Sequence, residues 1–196
     1  MTASTHIIQS GSVRLHALTR GEAENPALVL VHGYPDNHSV WDAVAERLAQ
    51  QFYVIAYDVR CAGQSDKPAK TADYRMPLLA QDLQAVVDTL IPGRRFHLAA
   101  HDWGSIQSWE SVTTDALKGR IASFSSVSGP CLDHMGFWMR KHLFSTSFSN
   151  ISKAVRQLFS SWYIVFFQLP LLAPLMWKAG LAKAWPVYLR LREGVS

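Results

Sequence analysis

The sequence predicts an α/β fold, with a mostly parallel, helix-covered sheet of about six strands and a helical region after it. Three observations support this prediction. Short apolar runs alternate with amphipathic helical patterns, several of these runs end directly in turn-forming loops, and strand patterns stop after residue 130. With 196 residues, 48% of them hydrophobic, the chain can form a substantial core.

Six segments have the apolar or alternating pattern of strands: Thr5–Gln9, Val13–Thr19, Ala27–Val31, Phe52–Tyr57, Phe96–Ala100 and Ile121–Val127. Two segments between them, Ser39–Gln50 and Pro77–Leu90, repeat apolar residues at helical spacing, so each is predicted to be a helix with one face on the sheet. Strands that alternate with helices favour parallel pairing, which gives the predicted fold class.

The chain changes character after residue 130, where we place the boundary between a core of residues 1–130 and a helical lid region of residues 131–196. The first part has 11 Lys and Arg against 13 Asp and Glu, whereas the second has 8 against 2. The basic residues of the second part are scattered among large apolar side chains, so no nucleic-acid partner is expected. Weak association of this basic, aromatic region with an anionic membrane surface is an alternative.

Residues 157–177 contain no charged side chain, and 21 residues are enough to span a bilayer. Pro170, Pro174 and Gln168 argue against a membrane helix, so short helices over an apolar pocket are preferred and a transmembrane helix is the alternative. The two cysteines are too few for a disulfide framework, and the N-terminus has no signal pattern. A reducing, cytoplasmic location is therefore expected.

The segment from Leu98 to Ser105 carries the clearest functional signal. An apolar strand runs into a turn with Asp102 at its apex, and a helical pattern follows. Small residues on both sides of the apex, Ala100 and Gly104, allow a sharp turn that leaves the apical side chain exposed, which is the layout of a nucleophile elbow. A carboxylate in this place attacks carbon and forms an ester. The alternative is an aspartate that caps the helix.

A second loop has the residues that a nucleophile elbow needs opposite it. The apolar strand Ala27–Val31 runs directly into His32-Gly33-Tyr34-Pro35. Together with the turn at Asp102, this loop resembles the His-Gly-x-Pro loop of epoxide hydrolases and haloalkane dehalogenases in the α/β-hydrolase superfamily. The resemblance implies that the backbone N–H groups of Tyr34 and Trp103 form an oxyanion hole. It also implies that His32, Gly33, Pro35 and His101 are supporting residues of the two loops.

A third match to the same superfamily lies between these loops. The segment from Asp58 to Pro68 resembles its Asp-x-Arg-Gly-x-Gly-x-Ser-x-x-Pro turn, with Cys61 where that pattern has glycine. If this position needs a positive φ, the cysteine costs about 1 kcal/mol of local strain. Asp58 and Arg60 are interpreted as structural residues that hold the turn against the core, and Ser65 as an ordinary turn residue.

The segment Ser161–Pro170 resembles the first lid segment of epoxide hydrolases. In that family a tyrosine hydrogen-bonds the epoxide oxygen, and its position here is Tyr163. Ring opening needs such a donor because an alkoxide is a poor leaving group. The resemblance therefore implies an epoxide hydrolase with Asp102 as nucleophile, Tyr163 as acid and a small apolar substrate. Without the lid motif, Tyr163 would be interpreted as a packing residue of the lid.

The resemblance also implies that the chain is C-terminally truncated, because the family places its catalytic acid and its water-activating histidine after the lid. His134 and His142 are weak candidates for that base. The residues after Asp102, with the lid segment, are also similar to the hydrolase portion of bacterial proteins fused to a short-chain dehydrogenase, although this chain has no dinucleotide motif. No cofactor is expected, and no cluster with metal-ligand spacing is present in the sequence.

Two alternatives stay open at this point. A haloalkane dehalogenase would use the same Asp102 and Trp103, but that family usually has Asn at the position of Tyr34. The second alternative is a truncated, non-catalytic homologue that lacks the base. The two differ in whether any half-reaction takes place.

Overall fold

Six strands form one sheet in the order β1-β2-β4-β3-β5-β6 in the computed structural model, which describes residues 3–193. Their bounds are β1 Ser4–Ser10, β2 Val13–Arg20, β3 Ala27–Val31, β4 Tyr53–Tyr57, β5 Phe96–His101 and β6 Ile121–Val127. Pairing is antiparallel between β1 and β2 and between β2 and β4, and parallel in the remaining three pairs. The predicted fold class is therefore confirmed.

Helices cover both faces of the central strands, and this explains why β3 has no polar residue. Leu28 and Leu30 pack with Ala45 of helix α1 (Asp42–Leu48), whereas Val29 and Val31 belong to the cluster that includes Leu83 of helix α2 (Met76–Leu90). Successive side chains of a strand point to opposite faces, so a strand covered on both sides needs an unbroken apolar run.

The predicted helix Ser39–Gln50 is divided in the structure. A 3₁₀ turn at His38–Trp41 precedes α1, because the side chain of Asn37 accepts a hydrogen bond from the N–H of Ser39 (2.9 Å) and starts a tight turn. Helix α3 (Trp103–Thr113) follows β5 directly, and a second 3₁₀ turn at Thr71–Tyr74 precedes α2. The predicted helix Pro77–Leu90 differs from α2 by one residue at its start.

Contacts divide the chain into two compact units, Met1–His134 and Met135–Ser196. The second unit contains most of helix α4 (Leu132–Leu143), followed by α5 (Phe148–Ser160), α6 (Trp162–Phe167), α7 (Leu172–Met176) and α8 (Ala182–Glu193). A π-helical segment, Trp177–Leu181, joins the last two and contains Gly180 with a φ of 118°.

The uncharged stretch 157–177 does not form one long helix. It is shared by the end of α5, the six-residue α6 and the five-residue α7, with Pro170 between the last two. Across residues 3–193 no helix has the length and apolar character needed to cross a bilayer. The single helix that the transmembrane alternative requires over this stretch does not form, and Pro170 lies at the break between α6 and α7.

Candidate functional site

Asp102 occupies the sharp turn between β5 and α3. Its backbone has a φ of 54° and a ψ of −128°, a conformation that residues with a Cβ rarely adopt. Two hydrogen bonds hold it: its N–H donates to the carbonyl of Val127 on β6 (2.9 Å), and its carbonyl accepts from the N–H of Ile106 (3.1 Å). The turn is thus fixed by the neighbouring strand and by the first turn of the helix.

Two glycines allow the elbow and the loop after β3 to approach each other. A Cβ on Gly104 would lie 2.6 Å from the carbonyl oxygen of Val31, and a Cβ on Gly33 would lie 2.6 Å from the Cβ of Asp102 and 2.7 Å from the backbone N of Trp103. Real Cβ atoms do not approach other atoms this closely. The small residues that the sequence places around Asp102 and in the His32-Gly33-Tyr34-Pro35 loop are therefore required by this packing.

The structure brings Tyr34 and Asp102 together. The backbone N–H of Tyr34 donates to Oδ1 of Asp102 at 2.9 Å, and the Tyr34–Pro35 bond is cis. Trp103 is the first residue of α3, so its N–H is one of the N-terminal N–H groups that have no acceptor within the helix. One predicted oxyanion donor thus bonds the carboxylate, and the backbone N of the second lies beside Gly33.

The loop that carries Tyr34 is anchored at both ends to the residues after β4. At its start, the Nε2 of the buried His32 accepts from the N–H of Val59 (3.0 Å), so Nδ1 carries the proton and donates to the carbonyl of Gly33 (2.8 Å). At its end, the N–H and the Nδ1 of His38 both bond Oδ1 of Asp58, at 2.9 and 2.7 Å. Burial lowers the pKa of His32, against the opposing effect of its bond to Gly33, and favours the neutral ring.

Asp58 is fully buried and its two oxygens accept four hydrogen bonds. Besides the two from His38, Oδ2 accepts the N–H of Gln64 (2.8 Å) and lies 3.1 Å from the Nδ1 of His16. Burial by itself would raise the pKa of the Asp58 carboxyl, but the N–H donors of His38 and Gln64 and the His38 ring outweigh it and hold that pKa below its ordinary value.

The other residues of this turn also have contacts that suit a structural role. The guanidinium of Arg60 forms a two-pronged pair with the buried Asp82, with both N–O distances 2.6 Å. Cys61 has a φ of 78°. It therefore occupies the positive-φ conformation that glycine adopts readily and that strains a residue with a Cβ. Ser65 has more contacts than an ordinary turn residue, since its Oγ donates to the carbonyl of Asp58 (2.6 Å) and accepts the N–H of His16 (2.9 Å).

A polar cluster beside the turn at Asp102 is not predicted from the sequence. The carbonyl of Gly129 accepts from Ser105 Oγ (2.9 Å), Ser126 Oγ (2.9 Å) and the indole Nε1 of Trp109 (3.0 Å), and Gly129 itself packs against the carbonyl of Asp102. This cluster ties the loop after β6 to α3, so it supports the position of Asp102. Ser105 and Trp109 lie 24 and 20 positions before Gly129, so no local spacing links them to it.

The remaining predicted residues lie elsewhere. His101 is the last residue of β5, in register with Val127, and His134 is exposed on α4. The Nδ1 of His142 donates to the carbonyl of Trp138 (2.8 Å), and the two rings stack. Tyr163 belongs to the second unit, where its ring contacts Phe167 and Trp185 in an aromatic cluster. Its role in ring opening stays a prediction.

A group that could hold a metal ion is also absent from the sequence-based prediction. His16, His38 and Asp58 place their ligand atoms within 4.8 Å of one another. The three residues are 22 and 20 positions apart, so they have none of the short spacings by which metal motifs are identified.

A sequence profile described as alpha/beta hydrolase fold matches residues 26–172 of this chain. The chain belongs to the α/β-hydrolase family. The chain is 37% identical over 176 residues to a Mycobacterium tuberculosis protein named "Probable oxidoreductase EphD". The aligned region covers 88% of this chain and 29% of that protein. It is 30% identical over 171 residues to epoxide hydrolase 3 of Xenopus tropicalis, which covers 86% of this chain and 42% of that protein.

Solved structures agree on the fold. Epoxide hydrolase VrEH1 from Vigna radiata superposes on 66% of this chain and 39% of its own, with a TM-score of 0.59 and 24% identity. An epoxide hydrolase from metagenomes of hot environments superposes on 74% of this chain and 47% of its own, with a TM-score of 0.60 and 23% identity. The chain thus spans less than half the length of these relatives, and the resemblance to epoxide-hydrolase-like members of the family is confirmed.

Proposed function

We propose that this chain carries the ester-forming part of an epoxide hydrolase. The observation that carries the proposal is the bond from the Tyr34 N–H to Oδ1 of Asp102, at a residue whose φ of 54° presents its side chain at the end of the sheet. A carboxylate that only capped the helix would bond the N–H groups of the second or third helical residue, and α3 has no side-chain cap bond from Asp102.

The geometry divides the work between the two oxygens of Asp102. Oδ2 attacks a ring carbon of the epoxide, the C–O bond of the ring breaks, and the released oxygen takes a proton from an acid, for which we propose the phenol of Tyr163. The product is a hydroxyalkyl ester, and the phenolate regains its proton from water. Oδ1 becomes the ester carbonyl oxygen, already bonded to the Tyr34 N–H.

Hydrolysis of the ester places a negative charge on that same oxygen. When water attacks the ester carbon, Oδ1 becomes an oxyanion, which the N–H groups of Tyr34 and Trp103 would stabilise together with the N-terminal end of α3. This step needs a base. The family resemblance implies that the base follows the lid, so we propose that a longer form supplies it.

The length of the relatives supports such a longer form. This chain spans 29% of the relative named an oxidoreductase, and a fused dehydrogenase domain in a longer form of this protein is proposed on that ground and on the resemblance described above. A cytoplasmic location is proposed from the two free cysteines, Cys61 and Cys131.

Partners other than the substrate are proposed from the surface of the second unit. Phe144, Phe148, Phe159 and Leu171 are between 75% and 86% exposed, and basic side chains such as Lys153 lie among them in the sequence. This composition supports weak contact with an anionic membrane surface, which attracts basic residues beside exposed apolar groups. It offers no support for a nucleic-acid partner, because the basic residues form no continuous run.

We predict that the chain forms the ester but does not hydrolyse it. Incubated with an aryl or alkyl epoxide, the 196-residue chain should gain one substrate mass on the peptide that contains Asp102 and keep it for hours, because ester hydrolysis lacks its base. Intact-protein and peptide mass spectrometry measure the adduct. The Asp102→Asn protein, which keeps the shape of the side chain, should form none.

Two further experiments test the proposed acid and the preferred substrate. Tyr163→Phe should slow adduct formation by about a hundredfold, as expected for a lost general acid, whereas the matched Tyr188→Phe change in the same aromatic cluster should not. Primary chloroalkanes and bromoalkanes should react more slowly than epoxides, because Tyr34 replaces the amide that binds halide. Absence of any adduct from a folded sample would support the non-catalytic alternative, and faster reaction with haloalkanes would favour the dehalogenase.

A further inference from the structure

Three side chains that commonly bind metal ions meet beside the loop that carries Tyr34. His16 comes from β2, His38 begins the 3₁₀ turn that follows β3, and Asp58 directly follows β4. Their ligand atoms lie within 4.8 Å of one another. The sheet produces this meeting, because β4 lies between β2 and β3 and the N–H of Asp58 donates to the carbonyl of His16 (2.8 Å). His16 and Asp58 are buried, with side chains 4% and 0% exposed.

We propose that His16, His38 and Asp58 form a binding site for one divalent transition-metal ion of the Zn²⁺ type. The ligands would be the Nδ1 atoms of both histidines and one oxygen of Asp58. Two imidazoles and a carboxylate suit Zn²⁺ and Co²⁺ better than Mg²⁺ or Ca²⁺, which prefer sets of oxygen ligands. The ion plays no part in the ester chemistry of Asp102, and the site does not depend on that function.

The hydrogen bonds of Asp58 are of two kinds, those from imidazole rings that could instead bind an ion and those from backbone N–H groups. Each oxygen accepts one backbone N–H and one imidazole nitrogen: Oδ1 has the N–H and Nδ1 of His38, and Oδ2 has the N–H of Gln64 and Nδ1 of His16. An ion would replace only the imidazole bonds. The two backbone donors would remain and orient the carboxylate, as outer contacts do in metal sites.

Metal binding requires a defined change of the histidine protons. Without an ion each Nδ1 faces a carboxylate oxygen and therefore carries a proton. Ligation uses the Nδ1 lone pair, so for each neutral ring that proton leaves to water and Nε2 takes one up. The exchange is neutral overall. The side chain of His38 is 16% exposed, which gives water a route to the site, and a water molecule would be the fourth ligand.

Titration of the full chain with Zn²⁺ and Co²⁺ tests the site. We expect one equivalent of Zn²⁺ by calorimetry, visible absorption bands of four-coordinate Co²⁺ that Zn²⁺ displaces, and a change of His16 and His38 from the Nδ1–H to the Nε2–H form in nitrogen-detected NMR. His38→Phe keeps a ring in the partly exposed position and should weaken Zn²⁺ binding at least about a hundredfold. The control His134→Phe removes an exposed histidine and should leave affinity unchanged.

Three results would overturn the proposal. Equal Zn²⁺ affinity in the wild type and in His38→Phe would mean that the ion binds elsewhere. Retention of both Nδ1–H forms at saturating Zn²⁺ would show that the imidazoles bond only the carboxylate. Absence of Co²⁺ absorption from the folded wild type would show that the cluster is a hydrogen-bonded support of the loop and not an ion site.

Discussion

Replacing Asp102 with glycine and with alanine separates the backbone strain of the elbow from the chemistry of its carboxylate. Both variants lose the carboxylate and its bond to the Tyr34 N–H, so this loss cancels in their comparison. They differ at a φ of 54°, where a Cβ costs about 1–3 kcal/mol and glycine costs nothing. Glycine also loses about 0.5–1 kcal/mol more than alanine through the flexibility of the unfolded chain.

The strain outweighs the chain entropy, so the Asp102→Gly protein should be about 1–2 kcal/mol more stable than the Asp102→Ala protein. For a chain of this size the midpoint of thermal unfolding should differ by about 2–8 °C. Urea unfolding followed by circular dichroism measures the difference. Gln81, exposed within α2, supplies the matched control, because there alanine should be the more stable of the same two substitutions.

If the turn is strained, glycine should be the more stable substitution at Asp102 and alanine the more stable one at Gln81. An Asp102→Ala protein more stable than the Asp102→Gly protein by about 0.5–1 kcal/mol, as expected at Gln81, would mean that the turn relaxes to a negative φ without cost. In that case the surrounding contacts would not hold Asp102 in its positive-φ conformation. Neither variant should form an adduct with an epoxide, since both lack the attacking oxygen.

Two further predictions concern the supports of the site. Arg60→Met should lower the free energy of unfolding by about 3–5 kcal/mol because it leaves Asp82 buried without its partner, and adding Asp82→Leu should recover much of the loss; a double variant less stable than Arg60→Met would contradict this. His32, whose pKa burial lowers below 6.5, stabilises the fold fully above that pH. As the pH falls, the unfolded chain binds the proton first, so the stability of the wild type relative to His32→Gln should decrease below about pH 6.5, by up to about 1.4 kcal/mol per pH unit in urea unfolding. A pH-independent difference would show that the ring titrates normally.

Local patterns predict the strands well because the apolar pattern that burial requires is visible within each strand. β3 is apolar at every position since helices cover both of its faces, and the turn at Asp102 needs small residues that are visible in the sequence. The start of α1 is less predictable. Apolar spacing continues through Trp41 into the helix, but the side-chain bond from Asn37 replaces its first turn with a 3₁₀ turn.

Long-range polar contacts are what the sequence does not predict. The pairing of Arg60 with Asp82 depends on strand order and register, which bring residues 20 or more positions apart within hydrogen-bonding distance. The same holds for the bonds from Ser105 and Trp109 to the carbonyl of Gly129. Strand order also creates the cluster at Asp58. A sequence motif can identify Asp58 as a turn residue, but only the placement of β4 between β2 and β3 shows that two histidines share its carboxylate.

Backbone strain in the described chain is concentrated at the carboxyl ends of the parallel strands. Three residues other than glycine have a positive φ among residues 3–193: Cys61 after β4, Asp102 after β5 and Ser128 after β6. Such conformations persist only where surrounding contacts determine them. Around Asp102 those contacts are the Val127 carbonyl, the Gly129 cluster and the loop held by His32 and Asp58. The same contacts that strain the turn therefore hold Oδ1 of Asp102 against the Tyr34 N–H.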